Sequence, residues 1–222
     1  MRLYYRICWT ILRLYLRFFC KLQIVGAGNV PQSGGVIVAS NHIAGGDPPF
    51  VGACIKRESY FLAKRELFRN FFLRNLIGSL NAIPVDRSTL DHGALQAAGQ
   101  ALGTGHVLVL FPEGTRSKTG ELRKGKPGIG LLARKAVVPI VPARIENSKG
   151  FMKLIFTEKR LRVTFGRPIS TEWIESEPDS NDGYRRIAER AMSSIAELDF
   201  DSKMPHWAAG YDDGEPHEKP FA

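Results

Sequence analysis

The chain has 222 residues, of which 44% are hydrophobic, and it carries a formal net charge of +9 at neutral pH. This size allows one or two domains with a substantial core, and the apolar content is ordinary for a globular protein. The excess of positive charge favours an anionic partner, such as nucleic acid, an anionic membrane or a phosphorylated substrate. The three cysteines have the spacing of neither a disulfide framework nor a zinc site, which fits a reducing compartment.

The first 22 residues are aromatic, aliphatic and basic, and they contain no Asp or Glu. At about 100° per residue, the basic side chains share one arc of roughly 100° of the helix surface; they are Arg2, Arg6, Arg13, Arg17 and Lys21. Apolar side chains occupy much of the remaining surface, including Ile7, Ile11, Leu14, Tyr15, Phe18 and Phe19. Residues 1–24 are therefore predicted to form an amphipathic helix that lies in the interface of an anionic membrane.

A membrane-spanning helix is a poor interpretation of this segment, because Arg13 and Arg17 would lie near mid-bilayer at a cost of about 2.5–3.5 kcal/mol each. A secretory signal peptide is also disfavoured, since the arginines interrupt the apolar run. Packing of the helix on the domain or on a partner is the alternative that the sequence leaves open. Nucleic acid is disfavoured because the apolar face is broad and no nucleic-acid-binding motif follows.

After this helix, short apolar strands alternate with helical segments. Strands are predicted at 35–40, 59–63, 81–85, 106–111, 138–145, 153–156 and 162–165. Helices are predicted at 65–80, with an apolar face around Leu67, Phe71, Phe72 and Leu76, then at 89–102, 127–135 and 181–198, with an inward stripe of Ile187, Ala191, Ile195 and Leu198. The alternation predicts an α/β domain over residues 25–198, with a layered, mostly parallel sheet flanked by helices. Residues 199–222 are interpreted as a C-terminal tail.

Three unusual stretches each follow a predicted strand. They are residues 41–47 (NHIAGGD), 85–87 (VDR) and 111–117 (FPEGTRS). In open α/β sheets, ligands bind outside the carboxyl ends of the strands. If these strands are parallel, all three stretches meet at one edge of the sheet, and we expect an active site there.

His42 and Asp47 are the candidate catalytic pair in the first stretch. On one helix their side chains would point about 140° apart, but across a strand-to-helix turn bent at Gly45 and Gly46 they can meet. Asp47 can then fix the histidine tautomer while the other ring nitrogen takes a proton from a substrate hydroxyl. The alternative is that Asp47, which two prolines follow, is only the N-cap of a helix beside an unrelated histidine.

The third stretch has the composition of an anion site. Gly114 lets backbone N–H groups approach an anion closely, and the guanidinium of Arg116 can bind a phosphate through two hydrogen bonds. Arg87 and Lys126 can add positive charge, although a basic surface loop is the simpler alternative. Nucleotide hydrolysis is unsupported, because the chain has no P-loop motif.

Together, these motifs resemble those of the glycerolipid acyltransferase family, which contains the 1-acyl-glycerol-3-phosphate acyltransferases. Residues 41–47 resemble the first family motif, in which four residues separate Asn-His from Asp, and 82–87 (AIPVDR) resemble the second. Residues 111–117 are identical to the third motif, and 138–143 (VPIVPA) are similar to the fourth. The order and spacing also agree, over about residues 26–168.

The resemblance implies roles for individual residues. His42 would be the general base on an acceptor hydroxyl, and Asp47 would orient it. Arg87 and Arg116 would hold the acceptor phosphate, and Glu113, Gly114 and Thr115 would shape its pocket. Lys126 matches a further basic position of the substrate site. The acyl donor would be the thioester of acyl-CoA or acyl-carrier protein, attacked directly, with no acyl-enzyme, metal or cofactor.

The reaction that the resemblance favours is transfer of a fatty acyl chain to the sn-2 hydroxyl of lysophosphatidic acid, giving phosphatidic acid. Glycerol 3-phosphate, another lysophospholipid or a lyso-ornithine lipid are alternative acceptors. A catalytically silent lipid-binding protein and a lipid hydrolase are alternatives from other classes. The expected location is the cytoplasmic face of a membrane, with peripheral or monotopic rather than spanning attachment, and the expected partners are membrane lipids and no nucleic acid.

Overall fold

The structure is a computed structural model, and it describes residues 2–86 and 91–198. Its strands are β1 (Gln23–Val25), β2 (Val36–Ser40), β3 (Ser59–Lys64), β4 (Ala82–Val85), β5 (Val107–Leu110), β6 (Ile140–Glu146) and β7 (Arg162–Phe165). Its α-helices are α1 (Leu3–Phe19), α2 (Asp47–Cys54), α3 (Phe71–Ser79), α4 (His92–Gly103), α5 (Gly128–Ala136), α6 (Thr171–Ser176) and α7 (Asn181–Ala196). Short 3₁₀ helices are η1 (Ala27–Asn29), η2 (Arg65–Arg69) and η3 (Phe151–Phe156). The predicted tail and Arg87 lie outside the described residues.

The strands form one sheet in the order β1-β7-β6-β2-β5-β3-β4. Its strand pairs are parallel except for β6 with β7, which confirms the prediction of a mostly parallel sheet. β2 lies between β5 and β6, and both of these neighbours are parallel to it. The segments that leave the carboxyl ends of these three central strands therefore meet at one edge of the sheet.

Both faces of the sheet are covered by helices. In β2, Val36 and Val38 pack towards α1, α2 and η3, whereas Ile37 and Ala39 pack towards α4, α5 and α7. This double coverage explains why β2 and β5 are continuous apolar runs in the sequence. The predicted inward stripe of the last helix is confirmed, because its members Ile187, Ala191, Ile195 and Leu198 are all buried.

Helix α1 has two apolar faces. One face packs on α2: Leu16 is fully buried, and the indole N–H of Trp9 donates to the carbonyl oxygen of Ile55 at 2.9 Å. The outward face is exposed and carries Leu3, Ile7, Ile11, Leu14 and Phe18. The sequence left open whether this segment lies on the domain or on a membrane, and the structure leaves a face available for each. In the described part of the chain, every helix is too short or too polar to cross a membrane.

The prediction of one continuous helix over 65–80 is wrong. The segment forms η2 and then α3, with a break at Asn70, whose side-chain oxygen accepts a hydrogen bond from the backbone N–H of Leu73 at 3.0 Å. Such a cap begins a new helix, since it satisfies an N–H group that has no partner inside the helix. The predicted apolar face of this segment is exposed, and its members are Leu67, Phe71, Phe72 and Leu76.

The predicted strand over 153–156 is also wrong, because these residues belong to η3. Gly150 has a φ of +72°, and its carbonyl oxygen accepts from the N–H of Lys153 at 2.8 Å, which turns the chain into a helix. A strand here would also lack a neighbour nearby, since β6 already pairs with β2 on one side and β7 on the other. The prediction missed β1 and α6, which have only three and six residues.

Candidate active site

His42 and Asp47 meet in the turn between β2 and α2. Nδ1 of His42 lies 2.9 Å from Oδ2 of Asp47, and both side chains are buried. The alternative of an unrelated histidine beside a capping aspartate is therefore excluded. The expectation that Asp47 would be the N-cap is wrong by one position, because Gly46 is the N-cap and Asp47 is the first residue of α2.

The carboxylate of Asp47 is held from several directions. Its Oδ2 also accepts hydrogen bonds from the backbone N–H groups of Ile43 and Ala44, both at 2.7 Å. Its Oδ1 accepts from the hydroxyl of Ser148, which is fully buried. These donors stabilise a buried carboxylate and fix its orientation, so the tautomer of His42 that carries a proton on Nδ1 is favoured.

The two glycines of this turn allow close packing. Gly46 has a φ of −83°, so the bend needs no left-handed backbone there. A Cβ on Gly46 would lie 2.8 Å from the ring of Phe50. At Gly45, the position of a Cβ would be 3.6 Å from Nη1 of Arg116, which brings the Arg116 guanidinium alongside the His42–Asp47 turn.

The segment 111–117 is attached to the backbone of His42 on both sides. Oε1 of Glu113 accepts from the N–H of His42 at 3.0 Å, and the N–H of Ser117 donates to the carbonyl oxygen of His42 at 2.7 Å. The ring of Phe111 stacks on the His42 imidazole, with centroids 4.3 Å apart and planes 29° apart. The first and third motifs, as expected, form a single site.

Glu113 is buried in this arrangement, and burial raises the pKa of its carboxyl above the usual range. Hydrogen bonds from the backbone N–H groups of His42 and Arg123 lower the pKa and partly offset this effect. Through its hydrogen bond to the N–H of His42, the carboxyl of Glu113 holds the backbone of the turn that carries His42. Its hydrogen bond to a backbone amide distinguishes it from the exposed residues of the same segment.

The remaining predicted residues of the segment lie on its solvent side. Gly114 has a φ of +69°, and a Cβ there would be 2.9 Å from Cε of Lys126, whose side chain crosses the segment. The backbone N–H of Lys126 donates to the carbonyl oxygen of Pro112 at 2.8 Å. Thr115, Arg116 and Lys126 are exposed, so two cationic side chains accompany the turn. Arg87 falls outside the described residues.

Sequence reasoning missed two residues that support the site. Ser148 follows β6 and reaches Asp47, and Asn41 joins the ends of two strands. The side chain of Asn41 accepts from the N–H of Ile145 at 2.7 Å and donates to the carbonyl oxygen of the same residue at 3.0 Å. The rule that sites collect at carboxyl ends of parallel strands applied to β6 as well, and it was the available signal for Ser148.

The second ring nitrogen of His42 is open to a ligand. Within residues 2–86 and 91–198, no group of the protein hydrogen-bonds to Nε2 of His42. A neutral imidazole with Nδ1–H held by a carboxylate has a lone pair on Nε2, which can accept a proton from a hydroxyl. The arrangement is that of a general base beside cationic groups. The same described residues contain no cluster of three His, Cys, Asp or Glu side chains suited to a metal ion.

A small apolar groove lies between α1 and α2. Pro48 and Pro49, which directly follow Asp47, line it together with Trp9 and Leu12 of α1. Its far part is lined by Tyr5, Ser59, Phe61 and Leu80. The lining is mainly apolar, as for a hydrocarbon ligand rather than a sugar or nucleotide.

Comparison with known proteins decides the family. The sequence model of the family described as Acyltransferase matches residues 21–146, which is more than half of the chain. The chain belongs to the acyltransferase family. The resemblance of the motifs to this family is therefore confirmed, and the protein is an acyltransferase.

Curated relatives of this acyltransferase include proteins from bacteria and mammals. It is 27% identical over 167 residues to the 1-acyl-sn-glycerol-3-phosphate acyltransferase of Bacillus subtilis, with 74% of this chain and 82% of the relative covered. It is 31% identical over 192 residues to the probable 1-acyl-sn-glycerol-3-phosphate acyltransferase of Mycoplasma pneumoniae, with 76% of this chain and 70% of the relative covered.

A solved structure shares the fold of this acyltransferase. The crystal structure of the 1-acyl-sn-glycerophosphate (LPA) acyltransferase PlsC from Thermotoga maritima superposes with a TM-score of 0.62. The match covers 88% of this chain and 84% of the other, at 24% sequence identity. At this identity the likeness establishes the fold, namely a mostly parallel α/β sheet flanked by helices.

Proposed function

We propose that this acyltransferase moves a fatty acyl chain from the thioester of acyl-CoA or acyl-carrier protein to the sn-2 hydroxyl of lysophosphatidic acid, giving phosphatidic acid. One observation carries the proposal: the buried Asp47 fixes His42 by a 2.9 Å contact, and the guanidinium of Arg116 lies alongside the same turn at Gly45. The relatives in Bacillus subtilis and Mycoplasma pneumoniae, both named as 1-acyl-sn-glycerol-3-phosphate acyltransferases, support the choice of acceptor.

The reaction requires only one proton acceptor and no covalent enzyme intermediate. Nε2 of His42 removes the proton of the acceptor hydroxyl as its oxygen attacks the thioester carbonyl carbon. The new C–O bond forms, the C–S bond breaks, and the proton passes from the imidazolium to the leaving thiolate. Asp47 stabilises the imidazolium during the interval, because its carboxylate is aligned with Nδ1.

Cationic side chains give the site its preference for a phosphorylated acceptor. Arg116 lies beside the catalytic turn, and Lys126 crosses Gly114 within the same motif. An arginine can bind two phosphate oxygens at once, and a lysine adds a compact positive charge. We assign Arg87 as a third cation for the phosphate and Thr115 and Gly114 as residues that shape its pocket.

The groove between α1 and α2 supports a hydrocarbon substrate. It is lined by Pro48 and Pro49, which follow Asp47 in the chain, and by apolar side chains of α1. Its volume of about 40 Å³ admits a short apolar segment, which is shielded from water there.

The exposed apolar face of α1 supports attachment to a membrane. Leu3, Ile7, Ile11 and Phe18 point away from the domain, and arginines flank them along the same helix. An apolar face bordered by cations is typical of helices that lie in the interface of an anionic leaflet. We propose peripheral or monotopic attachment at the cytoplasmic face, whose leaflet carries the anionic lipids.

The catalytic proposal is tested with His42→Ala. Purified wild type and variant are incubated with acyl-CoA and a panel of lysolipids, and the products are identified by mass. Loss of the general base is expected to lower the rate of acyl transfer by about 10²–10⁴-fold. Vesicle binding should be unchanged, because His42 is buried and does not belong to the exposed apolar face of α1. Wild-type turnover by the variant would contradict the role of His42 as general base. Release of fatty acid by the wild type without a lysolipid would indicate a hydrolase.

The acceptor assignment is tested with Arg116→Ala. We expect KM for lysophosphatidic acid to rise by about 10–100-fold, the range of a lost charge-assisted hydrogen bond, with a smaller effect on acceptors that lack a phosphate monoester. Lys118→Ala removes an exposed cation two residues away and is the matched control. Equal loss for both classes of acceptor would contradict the phosphate role.

A further inference from the structure

The short helix η3 exposes an apolar ridge that the fold itself does not use. We define the η3 ridge as Met152, Ile155 and Phe156, which are 65%, 44% and 87% exposed. The inward residues of the same helix, Phe151 and Leu154, pack in the core beneath α1 and α2. Single exposed apolar residues are ordinary on a protein surface. Three within five positions form a contiguous patch, and such patches are typical of interaction sites.

The η3 ridge adjoins the end of the outward face of α1. The rings of Tyr15 and Phe151 are in edge contact, with centroids 6.4 Å apart. Just beyond α1, Nζ of Lys21 donates to the carbonyl oxygen of Thr157 at 2.8 Å, which ties the ends of the two helices together. Phe18 and Phe19 at this end of α1 are exposed as well, so the apolar surface continues from one helix towards the other.

The charges around the ridge are predominantly positive. Residues 149–160 contain four basic side chains, Lys149, Lys153, Lys159 and Arg160, against one acid, Glu158. α1 itself contains no acid. An apolar patch bordered by cations complements the surface of an anionic bilayer, where the apolar side chains enter the acyl boundary and the cations contact head groups.

We propose that the η3 ridge is a second membrane-insertion element, which enters an anionic leaflet next to α1. The inference rests on the proposed membrane attachment but not on the reaction. Because η3 begins three residues after Ser148, whose hydroxyl donates to Asp47, insertion at this point holds the catalytic carboxylate close to the leaflet. An acceptor lipid can then reach His42 with its chain still in the membrane.

The first test removes the ridge from the full-length protein. The variant is Met152→Ser/Ile155→Ser/Phe156→Ser, and the probe is vesicles of equal parts phosphatidylcholine and phosphatidylglycerol. We expect the vesicle partition coefficient in a sedimentation assay to fall by about tenfold or more. Withdrawing a single large apolar side chain from the membrane interface already has an effect of this size. Val137→Asn is the control, since Val137 is an exposed apolar residue of the opposite helical layer with a φ of +50°, which Asn tolerates.

The second test reports insertion directly and does not depend on affinity. Phe156→Trp adds a fluorophore at the tip of the ridge, and vesicles with brominated acyl chains quench tryptophans that enter the bilayer. We expect the added emission of Phe156→Trp to be quenched. The added emission of Ser193→Trp, at an exposed position of α7 on the other face of the sheet, should remain.

The outcomes separate the alternatives. Unchanged partitioning of the triple variant together with unquenched emission at position 156 would overturn the proposal. A dimer in lipid-free solution that the triple variant loses, with vesicle binding intact, would assign the ridge to a second copy of the chain and would also overturn it. Loss of vesicle binding with normal turnover of detergent-dispersed lysolipid would support the ridge, and loss of turnover in His42→Ala would bear on the reaction alone.

Discussion

The hydroxyl of Ser148 donates a hydrogen bond to Oδ1 of Asp47, on the side of the carboxylate opposite to His42. The two residues are 101 positions apart in the chain and are brought together by the parallel pairing of β2 and β6. Ser148 is fully buried, so the bond is shielded from water. It positions the carboxylate without touching the reacting atoms.

Ser148→Ala should lower kcat by about tenfold with little change in KM, because the residue acts on the orientation of Asp47. A hydrogen bond to a charged group contributes about 1.5–3 kcal/mol, and about 1.4 kcal/mol corresponds to tenfold in rate. The two backbone N–H groups and His42 still hold the other oxygen, so the fold should persist. Steady-state kinetics with thermal unfolding as a check measures this. Ser176→Ala is the control, since Ser176 is exposed and lies on α6. Wild-type kcat in Ser148→Ala would show that Asp47 needs no support there.

Glu113→Gln should make stability less sensitive to pH. Because burial raises the pKa of Glu113 in the folded state, ionisation of this carboxyl opposes folding. The wild type is therefore expected to lose stability relative to Glu113→Gln as pH rises from the usual glutamate pKa through the raised one. Below the usual pKa the carboxyl is neutral in both the folded and the unfolded state, so the difference between the two proteins should no longer change with pH. The amide oxygen of Gln can still accept from the His42 N–H.

Urea unfolding of both proteins between about pH 4 and pH 7 measures this difference, since the usual pKa of glutamate is about 4.3. Glu121→Gln is the matched control, because Glu121 is exposed in the same connection between β5 and α5. A constant difference between wild type and Glu113→Gln over this range would contradict the assignment of a raised pKa.

The membrane role of α1 is best tested by substitution rather than deletion. Removing the helix would uncover the core around Leu16 and the end of α2, so a loss of binding would be confounded with unfolding. Ile7→Ser/Ile11→Ser/Phe18→Ser changes only exposed positions. We expect binding to anionic vesicles to fall by at least tenfold, which corresponds to about 1.4 kcal/mol, and sedimentation measures it. Undiminished binding of this variant to anionic vesicles would contradict the proposal that α1 attaches the protein to the membrane.

Gly130 allows α5 and α7 to approach each other closely. A Cβ at this position would lie 2.2 Å from the carbonyl oxygen of Tyr184, which is backbone and cannot rotate away. Gly130→Ala should therefore lower the free energy of unfolding by about 1–3 kcal/mol, the range for an overpacked core. Gly128→Ala in the same helix meets no atom within 4 Å and should be neutral or stabilising by up to about 1 kcal/mol. Urea unfolding compares the two, and equal stability would contradict the close approach.

The sequence allowed the central features to be predicted because they follow from periodicity and topology. The apolar runs of β2 and β5 identified buried parallel strands, and the motifs after them had to share an edge. Four consecutive family motifs supplied the roles of His42 and Asp47, whose contact the structure contains. The roles themselves stay predictions, as does the division at residues 24 and 198.

Features that depend on partners distant in the chain could not be predicted. Residues 153–156 have the composition of a strand, but the edges of β6 were already paired, and Gly150 turned the chain into a helix. The apolar side of 65–80 is typical of a core helix, and its exposure emerges only when the layers are assembled. Ser148 carries no local signal of its own, since its role depends on the register of β6 against β2.

Because β2 lies between β5 and β6, the candidate site is completed only late in the synthesis of the chain. Asp47 is translated early, but Glu113 and Ser148 follow 66 and 101 residues later, when their strands add to β2. A ribosome-bound chain that ends before β6 therefore has the histidine, its carboxylate and Glu113, but it lacks the Ser148 hydroxyl. The complete set of contacts to Asp47 can form only after β6 has left the ribosome, whereas α1, with its apolar outward face, precedes the sheet in the chain.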